Sequence, residues 1–370
     1  MKSALLCVII GFVLYSSCQF KESQSEVKVK TRVFTDTLGY AHKSYQMDSV
    51  MTRINRIHGK ERRNILFIQE MPQEMNWKIA ICPHDDYHYA GEIYPYVLEN
   101  LKTPTVLIFG VAHKARNFGA EDQLIFDSFT HWEGPYGSVK VSNLRDVLLS
   151  EIPPETYQIN DSLQQTEHSV EALIPFLQYY QPSVEILPVL VPYMNFQTME
   201  KLASPLVETL HGIMQDHQLV WGKDFSIVIS NDCVHYGDKG WEGKNYAPFG
   251  TDTAGYRAAT NFDMNIISEC LIDQLEPQRI RRFFEYTVDL NNYKEYAWTW
   301  CGRYALPFGL LTGYYLQQAI GRNPLEGQML RYSTSIRGEK IDVKDLGMGV
   351  SAPANMNHWV GYVAIGYREL

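Results

Sequence analysis

The chain has 370 residues, 45% of them apolar and 13% aromatic, enough to bury a substantial core as one large domain or two ordinary ones. Its formal charge is −9, from 33 Lys and Arg against 42 Asp and Glu. It carries no block of basic residues, so the electrostatic footprint of a nucleic-acid binder is missing and nucleic acid is not an expected partner.

In chain order, Lys2 precedes an apolar stretch over residues 4–15, too short for a stable bilayer span but of the length of a secretory signal core. Residues 1–17 are therefore expected to be a signal peptide. The stretch closes on Leu14-Tyr15-Ser16-Ser17-Cys18, which resembles the lipobox of bacterial lipoproteins, with Tyr15 where an aliphatic residue is usual. That resemblance implies lipidation of Cys18 and a tether to a membrane face, toward the periplasm, without any spanning helix. Ordinary cleavage after Ser17 is the alternative. Lys, Glu, Ser and Gln dominate residues 19–31, the composition of a solvated linker, and residues 18–60 are expected to form a tether and N-terminal extension. No internal repeat or second linker follows, so one domain is expected over residues 61–370.

Within that domain, residues 77–82 read as a buried strand, 91–102 as a helix and 104–111 as the next strand, a βαβ unit with parallel pairing. Strands are expected at 124–129, 138–141, 184–191 and 225–230, and helices at 168–180 and 199–217. Beyond Gly250 the pattern turns helical over 261–274, 278–288 and 303–320. Two closing strands, 329–336 and 359–367, have the alternation of sheet edges. Apolar runs separated by helices imply an α/β fold, a mainly parallel central sheet sandwiched between helix layers.

Three of these runs end at histidine in a turn-like context: His84, His113 and, after Asp232, His235. Side chains just past the carboxyl ends of parallel strands converge on one crevice, where such folds bind ligands. Neutral imidazole is the commonest side-chain metal ligand, and two of them at neighbouring strand ends can hold one ion. Either residue alone could equally cap loop carbonyls. For a third ligand the residues leave Asp85, Asp86, Asp232, Cys233, His235 and Cys301 open. A carboxylate would suit non-haem iron, whereas a thiolate would favour zinc, copper or iron. Cys301 precedes a long helix whose dipole would favour its thiolate, and in an exported protein a Cys233–Cys301 disulfide is a competing reading.

Together the segments PHDDYHYAG at His84, FGVAH at His113, TEHSVEALIPF from Glu167, ILPVLV from Ile186, SNDCVHYG from Ser230 and CGR at Cys301 resemble the Memo family, including the bacterial AmmeMemoRadiSam system protein B. The resemblance covers about residues 76–367 and implies the class III extradiol dioxygenase-like fold. It further implies that His84 and His113 match the two iron-binding histidines of those dioxygenases and that Cys301 replaces their glutamate. Asp232 and His235 would line the same pocket, His235 as acid/base near the substrate. Departures from the family pattern are Asp85, Asp86 and His88 after the first histidine, where small residues are usual, and Tyr304 where a histidine is frequent. Export is a further departure, so the cytoplasmic partnership suggested by the system's name is not expected.

His168 opens a predicted helix and reads as a capping or supporting residue. Tyr293, Tyr296, Trp298 and Trp300 read as core rather than as the wall of a substrate pocket. Three functions fit these residues: a metal-dependent oxidoreductase with iron or copper (zinc being possible) on His84, His113 and Cys301; a metal-binding lipoprotein without turnover; and a hydrolase in which His235 activates Cys301. Metal binding ranks first among them, and the substrate of any activity would be a small molecule.

Overall fold

The computed structural model describes residues 29–68, 76–337 and 340–369. The expected signal peptide, Cys18 and most of the tether lie outside the described residues. The first half contains β1 (Thr31–Arg32), α1 (Ser44–Ile68), β2 (Ile79–Cys82), α2 (Tyr87–Ala90), α3 (Tyr94–Leu98), β3 (Thr105–Val111), β4 (Leu124–Phe126), β5 (His131–Trp132), β6 (Val139–Val141), α4 (Leu144–Glu151), β7 (Tyr157–Ile159), α5 (Asp161–Thr166) and α6 (Ile174–Tyr180). There follow β8 (Glu185–Val191), α7 (Phe196–Asp216), β9 (Phe225–Ser230), β10 (His235–Gly237), α8 (Thr253–Cys270), β11 (Asp273–Gln274), α9 (Pro277–Thr287), α10 (Ala305–Ala319), β12 (Leu325–Thr334) and β13 (His358–Glu369).

The sheet runs in the order β1-β5-β6-β8-β3-β9-β2-β13-β12-β11. Its centre is parallel from β6 through β8, β3 and β9 to β2, and it continues antiparallel through β13 and β12. Residue alternation along each strand feeds two cores. Leu107, Phe109, Ile227, Ile229, Ile79 and Ile81 pack on the face covered by α7 and α10. Val106, Ile108, Val228, Ala80 and Cys82 pack on the other, with residues of α1, α3 and α6. Both faces of the strands are thus apolar, as parallel strands between helix layers require.

The structure corrects several sequence expectations. Strands β2 and β3 are parallel but not neighbours, because β9 lies between them and pairs with both. Of the expected helix over 91–102 only α3, at 94–98 and with a proline in its first turn, is formed, and the short α2 lies before that range. Strand β13 is no edge: it is buried between β2 and β12, and its glycines admit large neighbours. A Cβ on Gly366 would sit 2.3 Å from the Trp77 indole. Within the expected N-terminal extension, helix α1 packs on the body of the domain. In α1, Met47, Val50, Met51 and Ile54 are fully buried at the spacing of one helix face, and the Tyr40 hydroxyl donates to the His84 carbonyl at 2.6 Å.

Candidate metal centre

Register brings the three strand ends level. Cys82 of β2 is opposite Ser230 of β9, and Ile229 of β9 is opposite Phe109 of β3, so His84, Asp232 and His113 leave the sheet on one rim. Residues 298–301 arrive there from the other side. In α8 the buried Asp263 carboxylate accepts from the Trp298 and Trp300 indole N–H groups at 2.8 and 2.7 Å and from the Tyr332 hydroxyl at 2.9 Å. Burial pushes that carboxyl up to about 6 against these donors. Gly302 then packs directly on β9's end: its N–H donates to Asn231 Oδ1 at 3.1 Å, and a Cβ there would lie 2.2 Å from that oxygen. Gly110 serves β3 in the same way, because a Cβ would meet Val170 at 2.6 Å and Ser169 at 2.8 Å. Its absence lets the turn carrying Glu167 and His168 close on His113.

One nitrogen of His84, one of His113 and the Cys301 sulfur lie within 4.8 Å of one another. The His84 and His113 ring centroids are 5.1 Å apart, and Cys301 Sγ is 3.4 Å from His84 Nε2. The other nitrogen of each imidazole is committed elsewhere. Ser230 donates its single hydroxyl proton to the Ser169 carbonyl at 2.5 Å, so toward His84 Nδ1, at 2.7 Å, it can only accept. Nδ1 of His84 therefore carries the proton, and the Nε2 lone pair faces Cys301. His113 Nδ1 donates to the Glu167 carboxylate at 3.1 Å. Burial would raise the carboxyl of Glu167, but His113 and the Lys114 N–H hold it low. Carboxylate- or hydroxyl-backed imidazoles of this kind are what metal sites use to fix ring and tautomer.

Burial and neighbouring imidazoles disfavour protonation of His84, His168 and His235. Burial, followed by His113, His168 and His235, holds His84 well below its ordinary value. His168 is held to about 3 by burial and His113, and His235 to about 3 by burial and His113. The Cys301 thiol is raised by burial and by Asp232. This corrects the expectation of a helix-favoured thiolate: Cys301 precedes α10 but sits 3% exposed beside a carboxylate. Its sulfur accepts from the Asp232 N–H at 3.1 Å. The Cys233–Cys301 disulfide is not formed; Cys82, Cys233, Cys270 and Cys301 are free thiols.

The remaining expected residues divide clearly. Asp232 accepts from the His84 N–H at 3.0 Å and lies 3.4 Å from its Nε2, so it supports His84 as well as facing the cavity. Donor atoms of Asp232, His235 and Cys301 form a second group within 4.8 Å, and those of His113, Glu167 and His168 a third. His235 Nε2 is buried without a partner among the described residues. His168 does not open a helix but stands in the turn before one, stacked 4.6 Å from His113 and 5.5 Å edge-on from His84. His88 points elsewhere, its Nδ1 on the Ile341 carbonyl at 2.7 Å. Asp85 accepts from the Tyr362 hydroxyl, and Asp86 from the N–H and hydroxyl of Ser351 at 2.6 and 3.0 Å. Burial and Asp85 push Asp86 up to about 7. Of the aromatic group, Trp298 and Trp300 are core, whereas Tyr296 lines a cavity. Ser230, Glu167 and Asp263 received no role from the sequence. Ser230 and Glu167 fall inside the quoted motifs, whereas Asp263 gives no local signal at all. A cavity of about 310 Å³ opens over the imidazoles, with Asp85, Asp86 and Asp232 along it.

Converging imidazoles and a thiol beyond the carboxyl ends of a parallel sheet define an α/β protein with a candidate His/Cys metal centre. The chain belongs to the Memo-like protein family, whose model matches residues 55–347. It is similar to a MEMO1 family protein of Metallosphaera sedula, 32% identical over 163 residues, which covers 43% of this chain and 53% of that protein. A MEMO1 family protein of Saccharolobus solfataricus is 30% identical over 162 residues, 42% of this chain and 52% of the relative. The chain thus spans about half the length of these relatives. A MEMO1 family protein of Pyrococcus furiosus is 23% identical over 282 residues, 73% of this chain and 85% of the relative.

Proposed function

We propose that the protein binds a metal ion, iron or copper before zinc, on His84, His113 and Cys301, and that it does so as an exported protein anchored through Cys18. One observation carries the metal reading: three donor atoms lie within 4.8 Å while Ser230 and Glu167 occupy the far nitrogens of both imidazoles. The donor set fits the group, since two imidazoles and a thiol deprotonated on binding suit borderline and soft cations. When bound, iron or copper supplies Lewis-acid and redox chemistry of the dioxygenase-like kind. The chain's own contribution is then His235, whose Nε2, without a partner among the described residues, is the group to exchange a proton with a small-molecule substrate. Asp232 holds His84 in place from its main chain.

Binding without turnover is the second reading, favoured by the thiol itself, because a thiolate beside iron and oxygen is readily oxidised. Elemental analysis of anaerobically purified protein, with an ultraviolet-visible spectrum, tests the first point: a thiolate-to-metal charge-transfer band is expected. His84→Ala and His113→Ala should each lose metal and stay folded, and full metal retention in both refutes the site. For the anchor, palmitate labelling of the wild type and its absence in Cys18→Ser is the expected result.

A further inference from the structure

A second cavity, about 440 Å³, shares His113, His235 and Trp241 with the first and is also lined by Cys301. Its character is the reverse of the first. Where the first has three aspartates and no Lys or Arg, the second has five basic residues against two carboxylates. The salient member is Arg303, 4% exposed and two positions after Cys301. Its guanidinium lies 3.5 Å from the Tyr296 ring centroid and 4.6 Å from that of Tyr304. Nη2 donates to the Lys294 carbonyl at 3.1 Å, while Nε is buried without a partner among the described residues.

Among the described residues no carboxylate forms an ion pair with Arg303, and of the two carboxylates lining the cavity Glu295 is engaged with Arg116 and Lys244. A buried cation without an anion is unfavourable. The Tyr296 and Tyr304 rings offset part of that cost, and with Nη2 on the Lys294 carbonyl the Nε donor is left for an acceptor.

We propose that this cavity binds an organic anion, with Arg303 taking its carboxylate and the rings of Tyr193, Tyr246 and Tyr296 walling its apolar body. The far end of such a molecule is delivered toward Cys301 and His235, the side of the cavity it shares with the metal cluster. That delivery rests on the metal reading above; carboxylate capture by Arg303 does not.

The test is calorimetric titration of the full chain with benzoate and with its neutral isostere benzamide, on protein as purified and after chelation. A charge-assisted bond to a buried guanidinium predicts that benzoate binds about 10- to 100-fold more tightly than benzamide in both preparations. Arg303→Met should erase the preference and Arg303→Lys should keep part of it, with metal content at the wild-type level in both. Equal affinities in the wild type, or an unchanged preference in Arg303→Met, overturn the proposal. If Arg303→Met does not fold, the wild-type ratio and Arg303→Lys decide. A preference in protein that never holds metal sinks the metal reading alone, whereas metal without a preference sinks the anion site alone.

Discussion

Ser230→Ala removes one oxygen atom, 2.7 Å from His84 Nδ1, and leaves every donor of the proposed metal set in place. Two effects follow from the geometry. The Nδ1 proton loses its acceptor inside a fully buried site, a loss on the order of 1–3 kcal/mol. The ring can recover part of that by moving its proton to Nε2, where the Asp232 carboxylate lies 3.4 Å away, but that tautomer presents no lone pair to a cation. Both effects weaken binding. Supporting residues of this kind typically alter metal affinity by about 10- to 100-fold, or roughly 1.4–2.8 kcal/mol. Competition against a chromophoric chelator, with zinc as a spectroscopically silent probe, measures the ratio directly. An affinity within about twofold of wild type, in a variant of unchanged melting temperature, would show that Ser230 does not set the His84 tautomer.

Metal binding should release about one proton near neutral pH, because His84 is already neutral while the Cys301 thiol is raised; affinity should rise with pH, and calorimetry in buffers of different ionisation enthalpy reads the proton count. Asp263 titrates at about 6 in the folded chain, above the roughly 3.9 of an unfolded aspartate, so the folded state takes up a proton first. Its contribution to stability therefore grows as pH falls from about 7 toward 4. On going from pH 7 to pH 5 the denaturant midpoint should gain more, or lose less, in the wild type than in Asp263→Asn, and equal pH shifts in both proteins would remove Asp263 as the cause. Gly302→Ala places a methyl 2.2 Å from Asn231 Oδ1 and should lower stability by about 1–3 kcal/mol, with metal content falling as Cys301 is displaced. A melting temperature equal to wild type would contradict the close approach.

How much of this was readable in advance depended on the range of the interaction. His84 and His113 were legible because each follows an apolar run of strand length, a local pattern. The insertion of β9 between β2 and β3 was not, since parallel neighbours are chosen by helix packing across more than a hundred residues, which leaves no mark in either strand. Cys301 was one of six third-ligand candidates on its residues alone, and only family resemblance singled it out. Ser230 read as the polar end of a strand; its role appears when Ser169 claims its proton. The extension before residue 61 was judged on its polar leading stretch, although the spacing of Met47, Val50, Met51 and Ile54 carried an amphipathic signal that composition obscured. Cys301 shows the opposite error: its position before a helix was visible, but the desolvation and the carboxylate beside it were not.

The sulfur and the imidazole that meet at 3.4 Å are separated by 217 positions along the chain, and the tyrosine steadying that imidazole's carbonyl precedes both. These donors meet only through contacts between segments distant in sequence. On the metal-binding proposal an ion would load as these distant segments pack, and would then stabilise the folded structure by mass action, about 4 kcal/mol at a thousandfold excess over its dissociation constant.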